Sequence, residues 1–332
     1  MIKVFEAFSG YGSQSIALKN IGVDFEVVAI SEIDKYAIKA YEAIHGKVNN
    51  LGDISKIEIS DIPNHDLFTY SFPCQDISVG GRKKGFDENS GTRSSLLWEC
   101  KSIIESKKPK YLFLENVKNL ISKKHKPNFD KWCSWLEKQG YKNYWKILNA
   151  IDFNIPQNRE RVFMISVLGE QQFNFPNKID LNKSILDILE NEVDHKFLLP
   201  QFIQDRFISF PEDKLNSKLI EVVGTTAPNP YDSNGNLIYD KCTSAWVYNP
   251  KKCVGALASR DYKQPKQIIL YKNNSRIIRK LSVKEYFRLM GLNEQDINKL
   301  LNSGISNTQL YKLAGNSIVV NVLEEIFKNI FK

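Results

Sequence analysis

The stretch Asp66-Leu67-Phe68-Thr69-Tyr70-Ser71-Phe72-Pro73-Cys74-Gln75 decides the fold class of this chain. Its apolar run predicts a buried strand over 66–72, and the Pro-Cys pair then places a thiol where that strand ends. Because open α/β sheets keep their active sites at the carboxyl ends of their strands, Cys74 is a candidate nucleophile. A small buried structural cysteine is the alternative.

A second strand, predicted at 111–115, ends in Glu115-Asn116-Val117. A nucleophile and a carboxylic acid therefore follow equivalent ends of two strands. This arrangement suits covalent catalysis with proton transfer. The alternative is that Glu115-Asn116 simply ends a strand and caps the helix that follows.

The first 170 residues alternate between strand and helix patterns. Strands are predicted at 4–8, 25–31, 66–72, 111–115, 145–150 and 161–167, and helices at 13–20, 35–44, 94–106 and 130–139. This alternation predicts an α/β fold with a doubly wound, mostly parallel sheet. The last two strands are joined by a loop too short for a helical crossover, so they are expected to form an antiparallel pair at one edge.

From about residue 181 the pattern changes, because Pro, Asn, Asp and Gly become frequent. A smaller, irregular, loop-rich domain is therefore expected over 181–299. Within it, Ser282 and Glu285 form a capping box that begins a helix at 282–290. An amphipathic helix predicted at 317–331 is expected to pack beside the first strand. The first domain would then span 1–180 and be completed by 300–332.

The overall composition is that of an ordinary globular protein, with 42% hydrophobic and 25% charged residues in 332. No run of eighteen apolar residues occurs, and the N-terminus enters a strand without a signal-peptide pattern, so a cytoplasmic protein away from membranes is expected. The net charge of +8 favours a polyanionic partner. A solvated lysine-rich surface explains that charge equally well.

The five cysteines form no CxxC pair and do not cluster with the four histidines. Free thiols and no metal are therefore expected. Cys100 and Cys133 fall in predicted helices and are interpreted as small core residues, and Cys242 and Cys253 are interpreted in the same way.

The first strand ends in Phe8-Ser9-Gly10-Tyr11-Gly12, a Gly-x-Gly turn before a helix that lets a ligand approach the backbone. Ser15 stands where a NAD fingerprint needs a third glycine. Glu32 follows Gly12 by twenty residues, where an acid can bind ribose hydroxyls, and Asp53 comes after the next segment. The order describes an adenosine site without a pyrophosphate clamp, which fits S-adenosylmethionine. Singly, either acid could be a surface group or a helix cap.

Over nearly its whole length the chain resembles the DNA (cytosine-5)-methyltransferases of bacterial restriction–modification systems and phages. The motifs come in the family's order: Phe8-Ser9-Gly10-Tyr11-Gly12, Glu32, Asp53, Pro73-Cys74-Gln75, Glu115-Asn116-Val117, Gln157-Asn158-Arg159-Glu160-Arg161, the segment 279–291, and Gly315-Asn316-Ser317-Ile318-Val319. The resemblance implies a Rossmann-like S-adenosylmethionine-dependent methyltransferase fold, with 1–180 and 300–332 catalytic and cofactor-binding and 181–299 as target recognition domain.

The resemblance also implies catalytic roles. Cys74 would attack C6 of a flipped-out cytosine, Glu115 would contact N3 and the exocyclic amine, and Arg161 would hold O2. Arg159 or Arg161 would favour the thiolate. Gln75 and Ser78 would lie near the flipped nucleotide. The alternative for Arg159 and Arg161 is a pair of surface arginines on one face of a strand.

For the cofactor, the resemblance implies contacts from Phe8, Ser9, Gly10, Gly12, Glu32, Ile33, Asp53, Ile54, Pro73, Asn316 and Ser317, with Phe8 stacked on adenine. Phe8 is alternatively a core aromatic. Two positions depart from the family pattern. Ile33 stands where an aromatic residue often follows the ribose acid, and Glu6 stands where Asp is usual.

For DNA, the glycine-rich basic loop after Cys74 would close over the site, with Arg82, Lys83 and Lys84 on phosphates. An ordinary flexible basic loop is the alternative. In the recognition region Arg260, Lys263 and Arg276 are candidate DNA contacts, while Ala256 replaces a family Thr and leaves the local contact open. The expected partner is double-stranded DNA, bound by a monomer. A cognate restriction endonuclease encoded nearby would need no direct contact.

The sequence leaves three rival interpretations of the function. An RNA methyltransferase of the same architecture would share the Pro-Cys and Glu-Asn-Val motifs, although nothing in the recognition region favours RNA. An NAD-dependent oxidoreductase is disfavoured by the missing third glycine. A catalytically inactive DNA-binding protein is disfavoured by the intact set of Cys74, Glu115 and Arg161.

Overall fold

The structure is a computed structural model that describes residues 1–77, 85–88, 90–211, 217–239, 243–272 and 275–332. These residues divide into two units. The first unit consists of Met1–Asn149, Glu160–Lys178 and Ile318–Lys332, and the second of Ala150–Arg159 and Ile179–Ser317.

In the described residues the strands are β1 (Ile2–Ala7), β2 (Phe25–Ser31), β3 (Leu67–Tyr70), β4 (Tyr111–Val117), β5 (Tyr141–Asn149), β6 (Gln157–Asn158), β7 (Glu160–Leu168), β8 (Ile208–Ser209), β9 (Val222–Thr225), β10 (Trp246–Tyr248), β11 (Val254–Gly255), β12 (Gln267–Lys272) and β13 (Ser275–Lys280). The helices are α1 (Ser13–Asn20), α2 (Lys35–His45), α3 (Cys100–Lys107), α4 (Lys126–Lys138), α5 (Gln201–Gln204), α6 (Val283–Leu289), α7 (Glu294–Leu301), α8 (Asn307–Asn316) and α9 (Val320–Phe331).

The first unit is built on a six-stranded sheet in the order β2-β1-β3-β4-β7-β5. The four strands from β2 to β4 are parallel, whereas β7 pairs antiparallel with both β4 and β5. The predicted antiparallel pair at one edge is therefore confirmed. The doubly wound order puts the carboxyl ends of β1, β3 and β4 at one edge of the sheet, which is where the motif residues follow.

The two faces of this sheet differ in character. One face places Phe5, Phe68 and Leu112 in an aromatic-rich core that also contains Trp98 and Trp132. On the other face, Glu6 of β1, Thr69 of β3 and Phe113 of β4 stand in one row across the strands. The ring of Phe327 on α9 meets the ring of Phe113 at 5.4 Å. Helix α9 also lies against α1, so it completes the covering of this second face.

The second unit has a five-stranded sheet in the order β13-β12-β10-β9-β8, and a two-stranded pair of β11 and β6. Its small core contains Leu199, Val247, Ile269 and Ile278. The sequence predicted only a loop-rich region here, and that was incomplete. The strands are two to six residues long, too short for an alternating pattern to stand out, and apart from the adjacent β12 and β13 they pair with strands farther along the chain.

The units also differ in their bounds from the expected domains. Residues 150–159 and helix α8, which were expected in the first domain, belong to the second unit. Helix α8 packs closely on the 3-10 helix Ser259–Tyr262. A Cβ atom built on Gly315 would lie 2.3 Å from the carbonyl carbon of Ala258. The last helix correspondingly begins at Val320 rather than at Ser317, which is the C-cap of α8.

Local helix signals are reproduced closely. Ser282 caps α6 and Glu285 reaches back to the Ser282 amide, as the capping box predicts. Glu285 has a second function that the pattern does not show, since it forms a buried ion pair with Arg279 at 2.7 Å. Among the described residues, no helix combines the length and apolar character that a membrane span requires.

Candidate active site

Cys74 follows β3 on a short segment that hydrogen bonds hold at both ends. The Ser94 hydroxyl donates to the Pro73 carbonyl over 2.6 Å, and the Ile77 amide donates to the Cys74 carbonyl over 3.0 Å. Cys74 is partly exposed. The residue is therefore held in place at the carboxyl end of the parallel sheet and remains accessible to a substrate.

Glu115 lies near the end of β4, the neighbour of β3 in the sheet, and its side chain is buried. Its Oε1 lies 3.2 Å from Nε of Arg161. Arg161 stands on β7, diagonally across the antiparallel pair from Glu115. The structure thus brings a carboxyl group and a guanidinium side by side at the strand end next to the one that leads to Cys74.

Asn116 ties these two strand ends together. Its side-chain amide donates to the Phe72 carbonyl over 3.0 Å, and both residues are buried. In addition, the Glu115 amide donates to the Ser71 hydroxyl over 3.1 Å. The two bonds join β4 to the segment that leads to Cys74, so Cys74 and Glu115 are held in a fixed relation.

The loop between β1 and α1 has three residues in the left-handed backbone region: Phe8 with φ 56°, Gly10 with φ 59° and Gly12 with φ 78°. Glycine adopts this conformation at little cost, but in a phenylalanine it stores about 1–3 kcal/mol of strain and is typical of functional sites. At Gly12 space is also limiting, because a Cβ there would lie 2.5 Å from Nε2 of His45.

Glu32 joins this loop to the end of β2. Its carboxylate accepts hydrogen bonds from the backbone amides of Gly10 at 3.0 Å, Ile33 at 2.8 Å and Asp34 at 2.9 Å. Burial raises the pKa of Glu32 above its usual value, although these bonds oppose the rise. The acid is therefore held at the mouth of the loop, where the sequence placed a ribose partner.

The surroundings of the loop fit an adenosine cofactor. Ser9 Oγ is buried and has no hydrogen-bond partner among the residues described by the structure. Phe8 is partly buried against the core, and Ile33 is 71% exposed, so apolar side chains flank the loop. Ile54 is buried, whereas Asp53 caps a 3-10 turn by accepting from Ser55, which lowers the pKa of Asp53.

Residues 2–332 match the family model for C-5 cytosine-specific DNA methylases. The chain belongs to this family. It is 40% identical to the type II methyltransferase M2.ScrFI of Lactococcus lactis subsp. cremoris, a match that covers 100% of this chain and 99% of that protein. It is also 30% identical to the orphan methyltransferase M.SPRI of Bacillus phage SPR, over 99% of this chain and 97% of that protein.

Solved structures show the same fold. The Dnmt2 methyltransferase of S. pombe aligns with a TM-score of 0.72 at 21% identity, over 98% of this chain and 97% of that chain. A putative DNA modification methyltransferase encoded within an E. coli prophage aligns with a TM-score of 0.67 at 18% identity, over 99% and 98%. The predicted Rossmann-like methyltransferase fold is confirmed.

The protein is thus a DNA cytosine-5 methyltransferase, and the family's reaction proceeds through a covalent cysteine adduct. Family membership also implies the use of S-adenosylmethionine. This confirms the family and the reaction class that the motif order predicted.

Arg159 and Arg161 do not share a strand face in this methyltransferase. Arg161 is on β7 in the first unit, whereas Arg159 precedes that strand and belongs to the second. Arg159 is 4% exposed, and its guanidinium donates to the carbonyls of Leu257 at 2.7 Å, Gly315 at 3.1 Å and Ser317 at 2.7 Å. The interpretation as a surface pair is wrong, and these bonds make Arg159 a structural clamp of the second unit.

The loop after Cys74 is described only at its two ends. Ser78, Arg82, Lys83 and Lys84 lie outside the described residues. Asp76, for which no sequence motif predicts a role, is buried and accepts from the Arg93 amide over 3.0 Å, while the Gly85 amide donates to the Asp76 backbone carbonyl over 3.0 Å. Asp76 therefore holds both ends of that segment.

Four further residues predicted to contact the nucleotide or the DNA lie at the surface. Gln75 is exposed and accepts from Arg93 at 2.8 Å. Arg260 and Lys263 are exposed at the 3-10 helix Ser259–Tyr262. Arg276 on β13 is exposed, donates to the Gln204 carbonyl at 3.0 Å and lies over the Phe207 ring at 4.9 Å.

Two predicted cofactor residues lie at the end of α8. Asn316 is its last residue, and the Ser317 hydroxyl donates to the Leu313 carbonyl over 2.8 Å. Both residues belong to the second unit. Their role toward the cofactor stays a prediction.

Three other cysteines behave as core groups. Cys100 is buried in α3, Cys133 is partly buried in α4, and Cys253 is buried. Burial raises the pKa of Cys133 to about 12 and that of Cys253 to about 11, and it raises the pKa of Cys100 further. These thiols stay protonated at neutral pH and are poor nucleophiles. Cys242 lies outside the described residues.

Proposed function

We propose that Cys74 is the nucleophile of this methyltransferase, and that Glu115 and Arg161 bind the edge of the target cytosine. The observation that supports this most directly is the 3.2 Å pair of Glu115 and Arg161, next to the strand that leads to Cys74. N3 and O2, both bonded to C2, are neighbouring acceptors on one edge of cytosine. A carboxylic acid that donates a proton to N3 and a guanidinium that donates to O2 match them side by side.

The chemistry follows from these positions. Cys74 gives up its thiol proton, and its sulfur forms a bond to C6 while Glu115 places a proton on N3. The electron pair of the C5–C6 double bond then becomes available at C5. When bound, S-adenosylmethionine supplies the electrophilic methyl group for C5. A base in the site then removes the C5 proton, the C5–C6 double bond forms again, Cys74 leaves as the thiolate, and the proton on N3 returns to Glu115.

The cofactor-binding part of the proposal rests on the loop between β1 and α1. Phe8 and Ile33 offer apolar faces to an adenine, and Glu32 offers carboxylate oxygens to ribose hydroxyls. The backbone amides that follow Gly10 and Gly12 lie where the loop meets the N-terminus of α1. We infer that Ser9 and Pro73 line this site, and that Asp53 keeps its capping role while its second oxygen faces the ligand.

The partner proposed is double-stranded DNA, from which the target cytosine is flipped at a cost of about a few kcal/mol. Arg260, Lys263 and Arg276 are the exposed cations of the second unit that we propose for DNA contact, with Arg82, Lys83 and Lys84 of the loop. We propose a monomer that acts in the cytoplasm on a short specific site. Relatives named as type II and as orphan methyltransferases both occur, so the reaction itself requires no endonuclease.

The test is transfer of a radiolabelled methyl group from S-adenosylmethionine to unmethylated duplex DNA and, in parallel, to bulk tRNA. The wild type should label DNA, and Cys74→Ala should label neither nucleic acid while it still binds duplex DNA. Cys100→Ala is the matched control and should keep its activity. Label that persists in Cys74→Ala would rule out the covalent role of Cys74, and label in tRNA alone would move the substrate to RNA.

A second arm tests the acid and the guanidinium. Glu115→Gln keeps the size of the side chain but cannot supply a full proton to N3, so methyl transfer should fall at least about a hundredfold. Arg161→Met should lower the rate through lost contact to O2. Rates near wild type for both variants would show that the pair is structural.

A further inference from the structure

Glu6 is a carboxylic acid in the middle of the sheet of the first unit. It stands on β1 and is fully buried, with Ile30 of β2 and Thr69 of β3 beside it in register. Within the described part of the chain no lysine, arginine or histidine pairs with it. A buried carboxylate without a cation is costly, so its presence two residues before the cofactor loop needs a reason.

The carboxyl group is connected to the loop through hydroxyl groups. Ser15 on α1 donates to Glu6 Oε1 over 2.9 Å, and the Ser15 and Tyr41 hydroxyls are 3.4 Å apart. The Tyr41 ring on α2 lies directly below the loop, because a Cβ built on Gly12 would be 2.7 Å from it. The chain Glu6–Ser15–Tyr41 therefore ends against the backbone on which the cofactor is proposed to rest.

One oxygen of this carboxyl group is unused. Glu6 Oε2 is buried and has no hydrogen-bond partner among the residues that the structure describes, and the same is true of Thr69 Oγ1 in the neighbouring strand. Burial raises the pKa of Glu6 to about 7, while the bonds from Ser15 and Tyr41 oppose the rise. Among the described residues, the neighbouring titratable groups include Tyr41, whose pKa burial raises well above its usual value, and His45, whose Nε2 lies 3.1 Å from the Tyr11 carbonyl.

The charge of the expected cofactor provides a physical reason for a buried acid next to the loop. S-adenosylmethionine has a positive sulfonium, whereas its product S-adenosylhomocysteine has a neutral thioether. The loop leads into the N-terminus of α1, and the positive end of a helix disfavours a cation. A negative charge on Glu6, behind the first turn of α1, would offset that repulsion.

We propose that Glu6 is a positioning residue that holds a proton in the free enzyme and releases it when the cationic cofactor binds, so that the enzyme prefers the sulfonium cofactor to the thioether product more strongly as pH rises. The inference rests on the proposed cofactor loop. It does not require Glu6 to touch the cofactor, because the field of a buried charge acts through the low-dielectric core.

The expected pH dependence of cofactor affinity follows from the linkage between proton release and cofactor binding. If binding lowers the pKa of Glu6 by about one unit from about 7, S-adenosylmethionine should bind about sevenfold more weakly at pH 5.5 than at pH 8. About half a proton should then be released at pH 6.5. The product, which lacks the sulfonium, should release clearly less.

The experiment is isothermal titration calorimetry of the whole protein with each ligand, between pH 5.5 and 8, in buffers of different ionisation enthalpy. The ligands' own amino groups titrate near pH 8, so the quantity compared is wild type minus Glu6→Gln. Glu6→Gln should lose the proton release at pH 6.5, and Glu6→Asp should keep it. Ser15→Ala removes a donor to the carboxylate and should move the release to higher pH.

The outcomes separate this inference from the proposed function. Equal proton release in wild type and Glu6→Gln would overturn the role of Glu6, and so would equal release with both ligands. If Glu6→Gln does not fold, the comparison of the two ligands in the wild type and the pH shift in Ser15→Ala still test the role of Glu6. Absence of binding by the folded wild type at every pH would refute the proposed cofactor loop itself.

Discussion

Replacement of Arg159 by methionine should unfold the second unit more easily without touching the proposed chemistry of Cys74 and Glu115. Methionine keeps most of the aliphatic volume of arginine but donates no hydrogen bond. The carbonyls of Leu257, Gly315 and Ser317 would each lose a charged donor.

The magnitude follows from these three contacts. A buried acceptor left without a partner costs about 1–3 kcal/mol. Carbonyls can find partial replacements and no unpaired charge is left behind, so the sum is smaller than three full penalties, and we take it as about 3–5 kcal/mol. We expect a loss in that range for the second unit. Arg260→Met is the matched control, because Arg260 is exposed in the same unit, and it should stay within about 0.5 kcal/mol of wild type.

The assay is native-state hydrogen exchange at increasing urea, because it resolves the stability of each unit separately. Peptides from 243–272 report on the second unit, and peptides from 1–77 report on the first. Arg159→Met should lower the free energy of opening in 243–272 by the stated amount. A change below about 1 kcal/mol, accompanied by loss of methyl transfer, would refute the structural interpretation and return Arg159 to the catalytic group.

Three further predictions concern the first unit. In Glu6→Gln the pH dependence of stability should change. The pKa of Glu6 in the folded protein, about 7, exceeds the ordinary 4.5, so the wild type should lose about 3 kcal/mol of unfolding free energy as pH rises from 4.5 to 7. Urea unfolding of the variant should lack that decline, and parallel curves for the two proteins would contradict the prediction. Gly12→Ala should weaken cofactor binding in direct titration, because its Cβ would meet His45 at 2.5 Å, whereas Gly22→Ala, with φ 69° and nothing within 4 Å, should bind normally; equal affinities would show that the loop can shift. Asp76→Ala should lower kcat by about tenfold or more, because it removes the carboxylate that accepts from the Arg93 amide and helps to hold the segment after Cys74, whereas the exposed control Asp87→Ala should not; equal kcat values would remove Asp76 from the site.

Much of the first unit could be predicted from sequence because its signals are local. The bounds of α1 and β2 match their predictions, and the capping box of Ser282 and Glu285 forms as expected. Hydrophobic periodicity and cap chemistry act over three or four residues, so one stretch of chain contains the whole signal. The strand ends that lead to Cys74 and Glu115 were found for the same reason.

The second unit resisted prediction because its strands are short and, apart from the adjacent β12 and β13, pair with distant partners. Its sheet joins strands that begin at Ile208 and end at Lys280, and each strand is short. Pairing partners that are tens of residues apart leave no periodic trace in either strand. Helix α8 was assigned to the first domain since nothing in its own residues shows that Gly315 must fit against Ala258.

The sequence by itself determined the family, the reaction, the order of the sheet motifs and the identity of the nucleophile candidate. These follow from residue types at fixed spacings, which are properties of the chain. Only the tertiary structure decided that Arg161 meets Glu115 while Arg159, two residues away, binds three carbonyls. It also decided that Asp76 anchors the loop and that Glu6 is buried with one oxygen unpaired. Burial and pairing are set by which distant segments pack together, so they cannot be read from neighbours along the chain.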